Sequence, residues 1–401
     1  MAKARGISKV VAYKEETTFG QLAGNTGAKQ LRRVSADLTS TRENYSSNEI
    51  RTDQQVADFR LGTRSVDGSL STELSAGSYT DFIQTVLARD FTAGASQTLV
   101  DFTLAANGLL HTLTRATGDW STTFKVGDVV RISVAGSAAN QDNNLIVVGV
   151  TALVLTVRAI SGTALVPEAI TGATVTAIGK NTYVPKTGHT TKAFTIEEWY
   201  SDIGQSEVYT GVKVGTWSVT VPASGLVTSD FTLMGQGLKQ TGTTQYFTSP
   251  TPAGTQPVLA SVNGAILING SATNACVTDF NFSVDKTLEA SQCIGSELAE
   301  FVFEGGIRVT GSMSVYFEDG YLRDLFEKEN VASLVLALSS GSAKDADVMT
   351  FVLPKVKLSS HAKQDNELGI TASVDFTAIL NDNAANGLPL TTIAVTDSSL
   401  V

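Results

Sequence analysis

Two stretches of this 401-residue chain repeat one another, and that duplication constrains the fold more than any single motif. Residues 62–83 read GTRSVDGSLSTELSAGSYTDFI and residues 305–326 read GGIRVTGSMSVYFEDGYLRDLF. Aligned without a gap they share Gly62/Gly305, Val66/Val309, Gly68/Gly311, Ser69/Ser312, Ser71/Ser314, Gly77/Gly320 and Asp81/Asp324. Apolar residues also exchange for apolar ones, as in Leu74/Phe317 and Ile83/Phe326. In the first copy Val66, Gly68, Leu70, Thr72 and Leu74 alternate with polar residues, the period-two pattern of a half-buried strand. After Gly77, Ser78 with Asp81 predicts a capping box. Tyr79, Phe82, Ile83, Val86 and Leu87 then give a helix one apolar face. The second copy repeats this order on a shorter helix carrying Leu322, Leu325 and Phe326.

The surroundings of the two copies also match. A polar stretch precedes each, residues 44–60 and 287–303, and reads as a long hairpin loop. A strand pair follows each, Val212–Val221 with Gly225–Met234 and Thr350–Leu358 with Leu368–Ile379. Both second strands carry Asp-Phe-Thr, at Asp230-Phe231-Thr232 and Asp375-Phe376-Thr377. Residues 92–185 have no counterpart; their runs FKVGDVVRISV, NLIVVGVTALVLTVRAI and GATVTAIGK predict a small closed β domain projecting from the outer surface. The expected organisation is an N-terminal arm (1–35), a discontinuous first repeat (36–91 and 186–246), the insertion (92–185), a second repeat (247–381) and a C-terminal arm (382–401).

Composition agrees with an all-β chain. Charged residues make up 17%, and the abundant Gly, Ser, Thr and Val suit short strands and tight turns rather than helical bundles. The net charge is −10, concentrated in residues 186–401, where 12 Lys and Arg face 23 Asp and Glu. That balance repels phosphate and disfavours sequence-specific nucleic-acid binding. The N-terminus has no apolar h-region and reads as lacking a signal peptide. The most apolar run, residues 145–157, is too short to span a bilayer. Cys276 and Cys293 are read as reduced, packed thiols, with a disulfide between them as the alternative.

No catalytic constellation emerges. His111, His189 and His361 lie singly, with no HExxH, CxxC pair or GxSxG elbow in the chain. The glycines of MGQGLKQTG (234–242) miss the dinucleotide spacing, and ATVTAIGKN lacks the phosphate-loop residues. Glu197, Glu198 and Asp202 form an acidic cluster read as a solvated face, a glycosidase-type pair being the alternative. The Asn44, Asn269 and Asn281 sequons are read as accidental. No enzyme activity, metal or cofactor is expected.

Several stretches resemble the major tail tube proteins of long, non-contractile-tailed bacteriophages. They are Glu49-Ile50-Arg51 with Asp53, Gly62 with Val66-x-Gly68, YSDIGQSEVYTGVKVGTWSVTVPASGLVTSDFTLMG (200–235) and VTGSMSVYFED (309–319). The resemblance covers most of residues 40–91 and 190–380. It implies an all-β fold with few short helices: two packed sheets and one flanking helix, here duplicated, with the small β domain inserted. It implies strands of neighbouring subunits joined into a continuous barrel, edge pairing that removes the liability of free strand edges. Rings would then stack into a hollow, acid-lined tube that delivers double-stranded DNA.

On this resemblance the stacking loops would use Asn44, Glu49, Arg51, Asp53, Asp58, Arg60, Glu289, Glu297 and Glu300. The arm residues Lys3, Arg5, Lys9, Lys14, Arg32 and Arg33 would touch an adjacent ring, a solvated flexible tail being the alternative. Partners would be further copies of the chain, a tape-measure protein, and tail-tip and terminator proteins, assembled in the bacterial host cytoplasm into the virion tail. Two repeats per chain imply a trimeric ring of pseudo-sixfold symmetry; a hexamer of single, elaborated folds is the alternative. The tube of a contractile tail, and a β-sandwich adhesin or carbohydrate-binding module, are the competing functions.

Overall fold

A computed structural model describes residues 3–133, 135–160, 164–272, 276–366 and 369–400. The chain is built on one long antiparallel sheet that both repeats share. Its strands are β1 (Ser35–Ser46), β2 (Phe59–Glu73), β3 (Gln205–Pro222), β4 (Thr228–Gly235), β5 (Val277–Ser291), β6 (Phe301–Tyr316), β7 (Val348–Leu358), β8 (Ala362–Asn366) and β9 (Gly369–Ala378). In space they run β1-β2-β4-β3 from the first repeat and then β5-β6-β9 from the second, with β7 and β8 together closing the far edge.

The repeated glycines show why the two halves fold alike. Gly68 lies opposite Leu38, and a Cβ on it would meet the Asp37 carbonyl oxygen at 2.1 Å. Gly311 lies opposite Phe282, and its Cβ would meet the Asn281 carbonyl at 2.3 Å and the Phe376 ring at 2.5 Å. Only glycine permits this approach. The halves meet where β3 pairs with β5, with Trp217 opposite Val284 and Val219 opposite Phe282. Trp217, fully buried, stacks on Phe231 (6.3 Å between centroids) and meets Phe282 edge-on at 5.6 Å. Phe282 continues to Phe351 at 5.4 Å, so one aromatic cluster spans both repeats.

A buried ionic group lies beside the same seam. Lys213 on β3 and Lys286 on β5 both engage Glu304 on β6, the first at 2.9 Å. Lys213 also donates to the Val302 carbonyl at 2.8 Å and Lys286 to the Thr85 carbonyl at 3.1 Å. Burial lowers the Lys286 pKa although Glu304 stands next to it.

Helices α1 (Thr80–Val86) and α2 (Tyr321–Glu327) cover one face of the sheet, α1 burying Phe82, Ile83 and Val86 and α2 burying Leu322 and Leu325. The expected capping box does not form. The helix starts one residue later, with Tyr79 at the N-cap, and Ser78 turns to the Ser75 hydroxyl at 2.7 Å. Asp81 instead accepts from Tyr13 (2.9 Å) and Lys29 (2.7 Å).

Both expected arms are largely structured, which corrects the reading of 1–35 and 382–401 as tails. Lys9–Glu15 pairs with Phe194–Tyr200, while Ala394–Asp397 lies between β7 and Lys180–Tyr183. Short strands with partners on both sides carry too little periodicity to stand out in sequence.

Between α1 and the Phe194 strand, six strands from Ser96–Asn107 to Glu168–Ala177 close a barrel around Trp120, Phe124, Leu113 and Val147. It does not project freely. Val126, Ile146 and Val148 on its outside pack against Leu267, Val335, Ala337 and Val352 of the second repeat. The Thr350 hydroxyl donates to the Gly127 carbonyl (2.5 Å) and Asn144 to the Ala346 carbonyl (2.7 Å). Beside this contact Asp128 is buried, held by the Lys125 N–H at 2.8 Å, and burial pushes its pKa up to about 6.

Two outcomes follow from this packing. Trp217→Ala is expected to cost about 3–5 kcal/mol by chemical denaturation, since it empties the centre of the shared cluster. Asp128 favours its protonated form in the folded state, so its contribution is full below the ordinary carboxyl range and lost as pH rises through about 6. Asp128→Asn should therefore stabilise the chain by about 1–3 kcal/mol at pH 7.5 and have little effect near pH 4. Equal effects in thermal melts at both pH values would refute this.

Candidate assembly surfaces

Strand alternation gives the long sheet a second face, turned away from the helices. Opposite the core positions stand rows rich in hydroxyls, one of which runs Ser71, Ser218, Ser283, Thr310 and Thr377 across the strands with the carboxylate Asp230 between Ser71 and Ser218. Carboxylates join them at Asp37, Asp67, Asp279, Asp285 and Asp375, with Arg308 and Lys357 as countercharges. The Ser69 hydroxyl donates to Asp37 at 2.6 Å and Thr216 to Asp285 at 3.1 Å, leaving acceptor oxygens outermost. The face is rich in hydroxyls and acidic.

Both ends of this sheet are open. Among the described residues no strand of the chain pairs with the outer edge of β1, nor with the side of residues 357–366 turned away from β9. Unpaired edges of this kind are templates for another strand.

The two hairpins differ in how far they are engaged. The loop between β5 and β6 folds back onto the first repeat: Glu297 pairs with Arg42 and Arg64, each at 3.2 Å. Its carbonyl accepts the Arg64 N–H at 2.7 Å, Ala299 accepts from Gln236 at 2.9 Å, and Phe301 packs on Phe19. Glu289 and Glu300 remain exposed. The loop between β1 and β2 has no such seat. Among the described residues Arg51 pairs with nearby Asp53 (2.9 Å) and Arg60 with Asp58 (3.1 Å), and Asn44 and Glu49 are exposed. Apolar Ile50 and Val56 stand in solvent there, as Ile294 does on the other loop.

The basic N-terminal residues divide in two. Lys9 pairs with buried Glu198 at 2.7 Å, Lys14 donates to the Gly24 and Thr26 carbonyls, Arg32 donates to Ser75 and the Gln256 carbonyl, and Arg33 donates to the Gly6 and Lys9 carbonyls. These four have partners within the chain. Lys3 and Arg5 remain exposed.

Glu197 and Glu198 are not a solvated face, as expected, but are buried. Glu197 accepts from Ser206 and from the Tyr246 and Phe247 N–H groups, fastening residues 246–247 beneath the Phe194 strand. This burial is not legible in the sequence, because two of its donors are backbone groups some fifty residues away. Cys276 and Cys293 are free and exposed rather than packed. Burial lowers the pKa of His111 inside the barrel, and His361 lies 6.5 Å from the Phe317 ring. Among the described residues no cluster of three or more His, Cys, Asp or Glu is arranged to hold a metal, and no helix is long and apolar enough to cross a membrane.

No individual curated protein matches the chain. The family model described as phage tail tube protein does, over residues 6–378. That span includes the barrel and the N-terminal strand, which the resemblance at 40–91 and 190–380 had left out. With nearly the whole chain matched, and an all-β sheet open at both edges, the protein belongs to the phage tail tube family.

Proposed function

We propose that this chain is the wall subunit of a long, non-contractile phage tail tube, with three chains to a ring and double-stranded DNA passing along the acidic face of the sheet. The observation that carries the reading is the β3–β5 pairing, a joint between two copies of one repeat inside a single chain. Joining repeat to repeat in the same way between chains uses the two open edges. Overlaying Gly311 on Gly68, which places Phe376 on Leu233, sets the register: Ala362 opposite Thr39, Gln364 opposite Asp37 and Asn366 opposite Ser35 of the next chain. Each chain then supplies two of six repeats, and the ring closes with no strand edge exposed.

The aspartates and hydroxyls of the free face suit the lining of such a conduit. Carboxylates repel phosphates over the ~8–10 Å range left by physiological salt. The hydroxyls and their bound water offer no fixed cation for DNA to hold. Ile50, Val56 and Ile294 at the hairpin tips become buried between stacked rings, with Asn44, Glu49, Arg51, Asp53, Asp58, Arg60, Glu289 and Glu300 around them. Glu297 serves within the chain. Tape-measure, tip and terminator proteins complete the tail, assembled in the host cytoplasm.

Electron microscopy of the purified protein should show hollow tubes with three chains per ring; six chains per ring, or monomers persisting across salt and pH, would overturn the reading. Reversing the lining with Asp67→Lys and Asp230→Lys should leave tubes standing but make them retain duplex DNA. Release should then steepen with salt by roughly 0.9 in log–log slope for each phosphate contact. Tubes of the double variant that hold no more DNA than the unaltered ones would show that this face does not line the channel.

A further inference from the structure

Among the described residues, a groove that is filled in the first repeat lies open in the second. Where β2 ends and β4 begins, the Leu74 N–H donates to the Val227 carbonyl at 2.8 Å. Just beyond, Leu259 enters between the strands, donating to the Leu74 carbonyl (2.8 Å) and accepting from the Val227 N–H (2.9 Å). Ser75 bridges Val258 and Leu226 bridges Ala260, both antiparallel, and Leu259 is fully buried. Residues 258–260 thus form a short inserted strand. They belong to the segment leading into the second repeat, for Ala260 opens the 3-10 turn Ser261–Asn263 that runs into the strand Gly264–Ile268.

In the second repeat the matching bond is present, from the Phe317 N–H to the Ile370 carbonyl at 2.9 Å. Among the described residues nothing bridges Glu318 as Val258 bridges Ser75. A cavity of about 290 Å³ lies there instead, lined by Tyr316, Phe317, Glu318, Asp319 and His361.

Among the described residues another segment is built like the inserted one, and it lies near the N-terminus. Arg5 opens the 3-10 turn Gly6–Ser8, which runs into Lys9–Glu15. That strand pairs antiparallel with Phe194–Tyr200, as Gly264–Ile268 pairs with Ala332–Ser339. The middle residues of the two turns, Ile7 and Val262, are both exposed. Laying one turn on the other places Arg5 on Ala260, Ala4 on Leu259 and Lys3 on Val258. The Arg5 N–H is held by Asp202 at 2.7 Å, which fixes the direction in which the chain leaves the fold.

We propose that Lys3–Arg5 of one chain insert as a short strand into this groove, beside Phe317 and Glu318 of the neighbouring chain in the ring. The proposal rests on the ring described above. Its chemistry matches on both sides. The filled groove presents Ser75 and Ala76, and its occupant is the neutral Val258-Leu259-Ala260. The open groove presents Glu318 and Asp319 at the aligned positions, and the segment that fits it carries Lys3 and Arg5. Neutral meets neutral inside the chain, and cation meets carboxylate between chains. The small Ala4 takes the place of Leu259, at the Phe317 ring.

The test is site-directed cross-linking in full-length protein in which Cys276→Ser and Cys293→Ser remove the native thiols. Lys3→Cys with Glu318→Cys should oxidise in assembled tubes to covalent dimers and trimers on non-reducing gels, because bridged strand positions lie within disulfide reach. Ser75→Cys with Val258→Cys is the control and should close within the monomer. A second pair of variants reads the charge: Glu318→Lys should raise the protein concentration needed for tubes, and Lys3→Glu added to it should restore assembly. Intact tubes in which the control closes but no chains become linked would overturn the proposal and leave the ring standing. If the cysteine-free chain forms no tubes at all, the ring reading fails and the inserted strand fails with it.

Discussion

The pairing of β3 with β5 is the constraint on which the rest of the molecule depends. It joins two copies of one unit into a single sheet, and its strength comes from what sits on either side. Trp217, Phe231, Phe282 and Phe351 contribute aromatic rings from both repeats to one cluster. Burying such rings, together with their edge-on and stacked contacts, supplies most of the driving force. The Lys213–Glu304–Lys286 group joins β3, β5 and β6 at this register. A shift of β3 along β5 by one residue would turn Trp217 outward and part Lys213 from Glu304.

The barrel shows the same economy of faces. It is inserted in the first repeat yet docks on the second, so it ties the halves together a second time. Its run at 145–150 is buried on alternate sides: Leu145 and Val147 point into the barrel, Ile146 and Val148 onto the neighbouring sheet. In sequence such a strand shows no alternation, only a block of apolar residues. That is why closure was legible from residues 92–185 and docking was not.

Much of the rest divides along the same line. Gly68, Gly311 and the two Asp-Phe-Thr strands disclosed the duplication, because close backbone approach and a half-buried face leave marks in a single chain. The acidic, hydroxyl-rich face follows from the same alternation once the strands are placed. Partners far apart in sequence left no such mark. Glu197 reads as a surface carboxylate until Tyr246 and Phe247 are seen to satisfy it, and Lys9 reads as part of a basic tail until Glu198 appears across the pair of strands. The hairpins at 44–60 and 287–303 are similar in length and polarity, yet only the second is seated, because only the first repeat holds Arg42 and Arg64 in the same chain to receive it.

Duplication also changes the thermodynamics of the seam between repeats. A joint inside one chain has no dissociation constant; it forms as part of folding and is indifferent to dilution. The same joint between chains obeys mass action and strengthens with concentration. In a ring that alternates the two kinds, half of the seams are already made when a subunit finishes folding, and the encounters needed for closure fall by the same factor. When such a ring comes apart it does so in pairs of repeats, never in single ones.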